Sequence, residues 1–301
     1  MVNSVNIVPT ADASIVKFET ENFLVKHQSF EFKNIDDAKD SVLAQQLFHL
    51  PFVKTVYIAQ NFVAVQKYNI VEWEDVQDEL ATKISDYLDS GRPVVEEKGK
   101  QGKKIPVTVY AESTPNPQVM KFVANRKLVI KPLEFKNIDD AKEVELVQKL
   151  FHFPFVKEVY MDENFISVHK YDMAEWDDIT MELREFIRSY LEKNAEIVKS
   201  QQITTETSTR VAENKEDAES LSGLPKKIAD ILEEYVKPAV ASDGGNIVFK
   251  AYDENTKDVH VILQGACSGC PSSTMTLKNG IENLLKDMLP QQVNSVVAIN
   301  G

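Results

Sequence analysis

The sequence predicts an α+β protein of three small domains, two of which are tandem copies of one mixed domain. First, the eight residues that begin at Phe32, FKNIDDAK, return unchanged from Phe135. Second, strand-like and helix-like apolar patterns alternate within each copy. Third, the C-terminal region departs from the repeat and carries both cysteines. A spacing near one hundred residues indicates a whole duplicated domain, because solenoid units are roughly 20 to 50 residues long.

The second copy shows its predicted elements most clearly. The predicted strands are 107–112, 119–123, 156–161 and 165–169, and the predicted helices are 141–151 and 176–191. The last helix is amphipathic, since its apolar residues fall at i, i+3, i+4 and i+7. They are Leu183, Phe186, Ile187 and Tyr190. The first copy repeats this layout.

Two polar segments divide the chain into its predicted domains. Residues 91–106 contain a Gly-Arg-Pro turn and a lysine- and glycine-rich run, which we expect to be too polar to bury. Residues 194–220 are rich in Gln, Thr, Ser, Glu and Lys, and we expect a flexible tether there with a span of roughly 25 to 30 Å. The predicted domains are therefore 1–90, 107–193 and 221–301.

The third domain is predicted to have the element order α-β-β-α-β. Its helices are predicted at 224–240 and 271–289, and its strands at 247–251, 259–263 and 293–299. The apolar stripe of the first helix is predicted to consist of Ile228, Ile231, Leu232 and Tyr235. The inward residues of the second helix are predicted to be Leu277, Ile281, Leu284, Leu285 and Met288.

Composition and charge limit the classes of function. The formal net charge of −13 argues against nucleic-acid binding, which needs a basic face. We expect no membrane segment, because no apolar run approaches about twenty residues. Residues 1–18 show neither a secretory nor an import pattern, so we expect a cytoplasmic protein. Two closely spaced cysteines agree with a reducing compartment.

The candidate site lies in the stretch 264–277, which contains Cys267 and Cys270. Gly265 and Gly269 carry no side-chain bulk, so a large ligand could approach the backbone there. Pro271 suits the first position of a helix, whose positive end should favour thiolates. Three interpretations of Cys-x-x-Cys remain open: a dithiol redox couple, half of a zinc site, and half of an iron–sulfur ligand set.

A count of ligands constrains the two metal interpretations. Zinc sites and cubane clusters both need about four protein ligands, whereas the chain has two cysteines in all. His260 alternates with Val259 and Val261 in a predicted strand, so it should point away from the face on which they pack. Sharing between two chains is then the simplest route to four thiolates.

The residues around the cysteines resemble a known signature. The segment 265–273, GACSGCPSS, with TLK at 276–278 and GIE at 280–282, resembles the NifU C-terminal, or Nfu, domain. The segment 241–245 is similar to that family's turn before its first strand, although Asn246 replaces the usual aspartate. This resemblance implies that Cys267 and Cys270 bind a four-iron four-sulfur cluster between two protomers, in a loop that Gly265 and Gly269 help to shape.

A second resemblance concerns the repeats. Thr114-Pro-Asn-Pro117 followed by Met120-Lys-Phe122 resembles the opening motif of the Nfu amino-terminal domain, whereas the first copy has Thr10-Ala-Asp-Ala13. The resemblance implies an accessory or recognition module. If this loop contacts a partner, we expect only the second copy to do so competently.

The sequence as a whole therefore predicts an iron–sulfur cluster carrier and not an enzyme. We expect a homodimer on cluster binding, an upstream cluster scaffold as donor, and apo iron–sulfur proteins as clients. Two alternatives use the same dithiol: a thiol–disulfide oxidoreductase and a zinc-clamped dimeric adaptor.

Overall fold

The computed structural model describes residues 4–25, 29–96, 106–193, 197, 223–268 and 271–300. The chain forms two compact units, 1–106 and 107–301. Both units combine helices with sheets, which confirms the predicted α+β class. Among the described residues, no helix combines the length and the hydropathy needed to cross a bilayer.

The first unit contains a five-stranded antiparallel sheet in the order β1-β2-β5-β4-β3. In the second strand, Val16 and Phe18 are buried against the helices, and Lys17 lies on the opposite face, as the period of two requires. The strands are β1 (Val5–Pro9), β2 (Ile15–Thr20), β3 (Phe30–Phe32), β4 (Val53–Ala59) and β5 (Phe62–Lys67), and the helices are α1 (Val42–Phe48) and α2 (Trp73–Asp89).

The second repeat has the same topology, β6-β7-β10-β9-β8. Its strands are β6 (Val109–Ser113), β7 (Val119–Ala124), β8 (Leu133–Phe135), β9 (Val156–Asp162) and β10 (Phe165–Lys170), and its helices are α3 (Glu145–Leu150) and α4 (Trp176–Lys193). The predicted helix 141–151 is shorter than expected. Asn137 accepts hydrogen bonds from the backbone N–H groups of Asp139 and Asp140, which starts a separate 3₁₀ turn at Ile138–Ala141.

The first predicted linker, 91–106, was expected to be too polar to bury, but part of its beginning is buried. Val94 and Val95 are buried in the core of the first repeat. The Ser41 hydroxyl donates to the Val94 carbonyl at 2.7 Å. The two adjacent valines supply an apolar surface, which the prediction missed because the glycines and charged residues around them indicated a polar linker. Residues 97–105 and nearly all of the predicted tether 194–220 lie outside the described residues, so the tether's flexibility and the domain boundaries stay predictions.

The C-terminal domain has the predicted order α-β-β-α-β. Helix α5 (Leu224–Ile231) continues through a π turn (Leu232–Val236) into α6 (Lys237–Ser242). The sheet order is β11-β12-β13, with β11 antiparallel and β13 parallel to β12. The remaining elements are β11 (Gly245–Asp253), β12 (Asp258–Gly265), α7 (Pro271–Met288) and β13 (Ser295–Asn300).

Two predicted core residues of this domain are exposed. Tyr235 is 52% exposed, because the π turn adds a residue and places Val236 against the core instead. Met288 is 41% exposed, since Leu289, one residue beyond the end of α7, fills the last core position. The other predicted positions of both stripes are buried or pack against the core.

Candidate iron–sulfur site

Two glycine turns meet where β11 and β12 form their pair. Gly245 lies opposite Gly265 in the register of the two strands. The Ala266 N–H donates to the Gly244 carbonyl at 3.1 Å, which joins the two turns. The Ser268 N–H and hydroxyl both donate to the Gly265 carbonyl, at 3.1 and 3.0 Å. We define the described residues 264–268 as the cysteine loop.

The glycines make room for the Cys267 thiol. Gly244 and Gly265 have φ of +81° and +62°, in the left-handed region that favours glycine. A Cβ at Gly245 would lie 2.7 Å from Cys267 Sγ, closer than any side-chain carbon is found. The Ser-Asp-Gly-Gly turn therefore provides the backbone surface on which the sulfur packs.

Cys267 is only 7% exposed and belongs to the core of its domain. Burial, and to a smaller extent the negative charge of Asp243, raises the pKa of Cys267 to about 12. Burial therefore disfavours the thiolate form of Cys267 in this arrangement.

The other predicted ligand, Cys270, lies outside the described residues, as does Gly269. Helix α7 begins at Pro271, as predicted. In the described part of the chain, no group of three or more histidine, cysteine or carboxylate side chains could hold a metal ion. His260 is half-buried between the buried Val259 and Val261, as its predicted outward direction requires.

Asn246 lies closer to the site than the sequence indicated. The side chain is 3% exposed, and its Nδ2 donates to Gln264 Oε1 at 2.9 Å. Asn246 and Gln264 are directly opposite each other in the β11–β12 register. An asparagine can donate this hydrogen bond, whereas a carboxylate facing the same amide oxygen could not.

The second repeat packs directly on the cysteine loop. Five side chains stand next to one another across the outer face of its sheet, one from each strand, because their residues are opposite one another in register. We name this set the polar row. It consists of Glu112, Lys121, Ser167, Tyr160 and Glu134.

Three members of the polar row bind main-chain groups of the C-terminal domain. Ser167 Oγ donates to the Gly244 carbonyl at 2.6 Å. Lys121 Nζ donates to the carbonyls of Ala241 and Ser242, at 3.1 and 3.0 Å. These carbonyls end helix α6, where the helix dipole favours a cation. The Gly265 N–H donates to Glu134 Oε1 at 3.2 Å.

Asn116, in the loop before β7, binds both sides of Cys267. Its Nδ2 donates to the carbonyls of Ala266 and Ser268, at 3.1 and 3.4 Å. The side chain is 2% exposed, and its Oδ1 accepts the Gln118 N–H at 3.0 Å. Both polar atoms of this buried amide are therefore hydrogen-bonded, as burial demands.

Tyr160 completes the contact between the second repeat and the cysteine loop. A Cβ at Gly265 would lie 2.8 Å from Tyr160 Cδ1, so the ring packs directly on the glycine. Its hydroxyl donates to Asp162 Oδ2 at 3.0 Å. Burial raises the pKa of Tyr160, of Asp162 and of Glu134, in each case as the largest cause. Tyr160 and Asp162 are only 2% and 8% exposed, so water has little access to these two side chains.

The sequence alone did not identify the polar row. It did single out the loop 114–117, predicting that only the second copy of this loop is competent to contact a partner. The structure places Asn116 of this loop on the cysteine loop of the same chain. The available signal was the difference between the copies, since Asp12 stands in the first copy where Asn116 stands in the second.

Family comparisons agree with both resemblances. The profile described as "Scaffold protein Nfu/NifU N terminal" matches residues 5–91 and 109–194, which together are more than half of the chain. The profile described as "NifU-like domain" matches residues 228–297.

Curated relatives cover about three fifths of the chain. A NifU-like protein of Schizosaccharomyces pombe is 29% identical over 197 residues, 64% of this chain and 74% of that protein. NifU-like protein 4, mitochondrial, of Arabidopsis thaliana is 30% identical over 185 residues, 61% of this chain and 63% of that protein. The human protein named "NFU1 iron-sulfur cluster scaffold homolog, mitochondrial" is 29% identical, over 61% of this chain and 68% of its own length. The match thus spans less than two thirds of the Arabidopsis relative. On the strength of its two amino-terminal matches and its C-terminal match, the chain belongs to the Nfu/NifU family of scaffold proteins.

Proposed function

We propose that this protein carries a four-iron four-sulfur cluster as cargo, holds it between two chains through Cys267 and Cys270, and delivers it to apo-proteins. Family membership supports a role in iron–sulfur cluster assembly, because relatives are named as iron–sulfur cluster scaffolds. The finer statements, on cluster type, sharing and delivery, are our proposal.

The observation that carries this proposal is the setting of Cys267. Its sulfur lies on a turn that Gly245 and Gly265 keep free of side chains, so a bulky inorganic cluster could approach the backbone once the loop is uncovered. Thiolates are the ligands that iron–sulfur clusters use. One chain has two cysteines, and a cubane needs four ligands, so two chains together supply the set.

Delivery would proceed by ligand exchange. Each client cysteine thiolate forms a bond to an iron atom as one carrier thiolate leaves it, so the cluster keeps its iron, sulfide and charge. No small substrate is turned over, and we therefore infer a carrier and not an enzyme. The donor would be an upstream cluster scaffold, and the clients would be apo iron–sulfur proteins.

Anaerobic reconstitution of the full chain with iron and sulfide tests the proposal. We expect broad visible absorption, four iron and four sulfide per two chains, and a shift to dimer in analytical ultracentrifugation. The single variants Cys267→Ser and Cys270→Ser should each lose most of the bound iron. A monomer with a full complement of iron would overturn the proposal, as would a double serine variant that still takes up iron.

The same experiment separates the alternatives. Colourless zinc loading of the dimer would support the zinc-clamped adaptor, and reversible disulfide turnover without metal would support the oxidoreductase. The cytoplasmic location expected from the sequence stays a prediction, which cell fractionation tests.

A further inference from the structure

We propose that the polar row and Asn116 form a binding site for the cysteine loop and the adjoining turn 241–245 of the same chain, and that a loop bound there cannot also hold a cluster between two chains. The first statement concerns the apo-protein alone. The second rests on the proposed function, and its test is separate.

The binding site recognises the course of the main chain. Asn116, Ser167 and Lys121 donate to backbone carbonyls, and Glu134 accepts a backbone N–H. The binding site also requires glycine in the segments that it contacts. A Cβ at Gly244 would lie 2.8 Å from Ser167 Oγ. With the ring of Tyr160 against Gly265, the site therefore fits a loop with glycine at both turns.

Binding at this site fixes the main chain on both sides of the predicted iron ligand. Asn116 binds the carbonyls of Ala266 and Ser268, the two neighbours of Cys267, whose thiol is almost fully buried. A second chain that shares a cluster must bring its own cysteines to the same thiol. The thiol is buried in the core of its own domain, so it can reach such a cluster only if the loop changes its course, which the hydrogen bonds from Asn116 oppose. The second repeat and a second chain would therefore compete for the loop.

The first repeat presents a related row, and its row and loop together lack two of these donors. By the same strand pairing, its members are Val8, Lys17, Ala64, Tyr57 and Glu31. Ala64 has no hydroxyl to replace that of Ser167. Asp12 replaces Asn116, and a carboxylate that faces two carbonyl oxygens repels them instead of donating to them. We therefore assign the binding of the cysteine loop to the second repeat alone.

The decisive variant gives the second repeat the residues of the first. Asn116→Asp with Ser167→Ala should leave the repeat folded, because the first repeat has both residues at the matching positions. When the loop leaves its binding site, the Gly265 N–H loses its hydrogen-bond acceptor, Glu134. Hydrogen–deuterium exchange of the full apo chain measures this loss at the Gly265 amide. We expect its exchange to become at least about tenfold faster, since the three hydrogen bonds from Asn116 and Ser167 are removed.

The matched control changes the first repeat in the opposite direction. Asp12→Asn with Ala64→Ser should leave exchange in the cysteine loop at the wild-type rate. A third variant, Ser167→Lys, fills the space that Gly244 requires, so it should accelerate exchange at least as much as the pair does. Wild-type exchange in both altered second repeats would overturn the binding site.

The competition is tested on reconstituted protein. With the loop released, the dissociation constant of the cluster-bridged dimer should fall by about tenfold in Asn116→Asp with Ser167→Ala, and should not change in the matched control. An unchanged constant would overturn the competition. If no form of the chain takes up iron and sulfide, the proposed function fails, and the exchange experiment still decides whether the loop is bound.

Discussion

The loops that precede β2 and β7, the second strands of the two repeats, have the same backbone arrangement, but the side chains that they present differ. Thr10 Oγ1 donates to the carbonyls of Asp12 and Ile15, both at 2.9 Å. Thr114 Oγ1 donates to the carbonyls two and five residues further along its own loop, also at 2.9 Å. The prolines of the second copy are therefore not needed to form this loop. What the first copy lacks is the side-chain N–H of Asn116.

The tryptophans show the same agreement. Trp73 Nε1 donates to the Ala13 carbonyl at 3.0 Å, and Trp176 Nε1 donates to the Pro117 carbonyl at 2.9 Å. Each repeat thus ties its loop to its long helix in the same way. The comparison teaches that the scaffold of a duplicated domain can stay the same while its binding surface diverges. A single polar atom, such as the side-chain N–H of Asn116, is enough to change what the surface binds.

The chain has two tryptophans, one in each repeat, which allows the repeats to be followed separately. Fluorescence during urea denaturation reports the second repeat in a Trp73→Phe background and the first repeat in a Trp176→Phe background. The following predictions use these two backgrounds.

The largest expected effect is a loss that both repeats share. Phe18 and Phe122 are matched core residues, and both are fully buried. Replacing either with alanine should lower the free energy of unfolding of its own repeat by about 3 to 5 kcal/mol, because a large cavity is left. Leucine at either position should cost less. A cost below about 1 kcal/mol in one repeat alone would show that the two cores are not equivalent.

A smaller effect should distinguish the repeats. Lys121 binds two carbonyls at the end of α6 and lies 4.7 Å from the centre of the Phe165 ring, whereas Lys17 lies 4.9 Å from the centre of the Phe62 ring. We expect Lys121→Met to destabilise the second unit by about 2 kcal/mol, since hydrogen bonds from a charged group are lost. Lys17→Met should cost about 0.5 to 1 kcal/mol. Equal costs would contradict the role of Lys121 in binding the C-terminal domain.

The smallest effect concerns acid stability. His169 pairs with Glu158 at 3.4 Å in the second repeat, and at the matching place in the first repeat Thr55 donates to Gln66. The hydrogen bond from His169 is the main reason that the pKa of Glu158 is lowered to about 2. A lowered folded-state pKa stabilises above the ordinary value of 4.5, and this stability is lost as the pH falls towards 2.

His169→Gln, which copies the first repeat, should therefore reduce the stability of the second repeat at pH 6 by up to about 1 kcal/mol, because the pair is partly exposed. The variant should also lose less stability than the wild type between pH 5 and about pH 2. Urea midpoints across this range measure the effect. Parallel pH curves for variant and wild type would contradict the assigned cause of the Glu158 shift.

Much of the fold could be predicted from period and repetition. The long strands and helices were placed within a few residues because their apolar alternation spans at least one full pattern. Strands β3 and β8 were missed because three residues are too few to show a period. The π turn was missed because no residue type in the sequence indicates its extra residue. That residue shifts the helical positions that follow it, so Tyr235, which the 3.6-residue spacing assigned to the core, is exposed.

The candidate site was predicted in part. Family resemblance and spacing selected Cys267 and the glycines, but not the direction of the thiol, which depends on Gly245 from another strand. The polar row was missed because an outward polar residue on a strand, such as Ser167 between Ile166 and Val168, has the same pattern whether it faces water or another domain.

The interface between the second repeat and the cysteine loop has one consequence for sequence change. Every carbonyl that Asn116, Ser167 and Lys121 contact belongs to the peptide backbone, so the side chains at 266 and 268 do not supply these acceptors. Ala266 and Ser268 are 3% and 7% exposed, so packing limits substitution there, and loss of these acceptors does not. A methyl group added at position 244 or 265, by contrast, would lie 2.8 Å from Ser167 Oγ or from the Tyr160 ring, so the contact between the domains would have to shift.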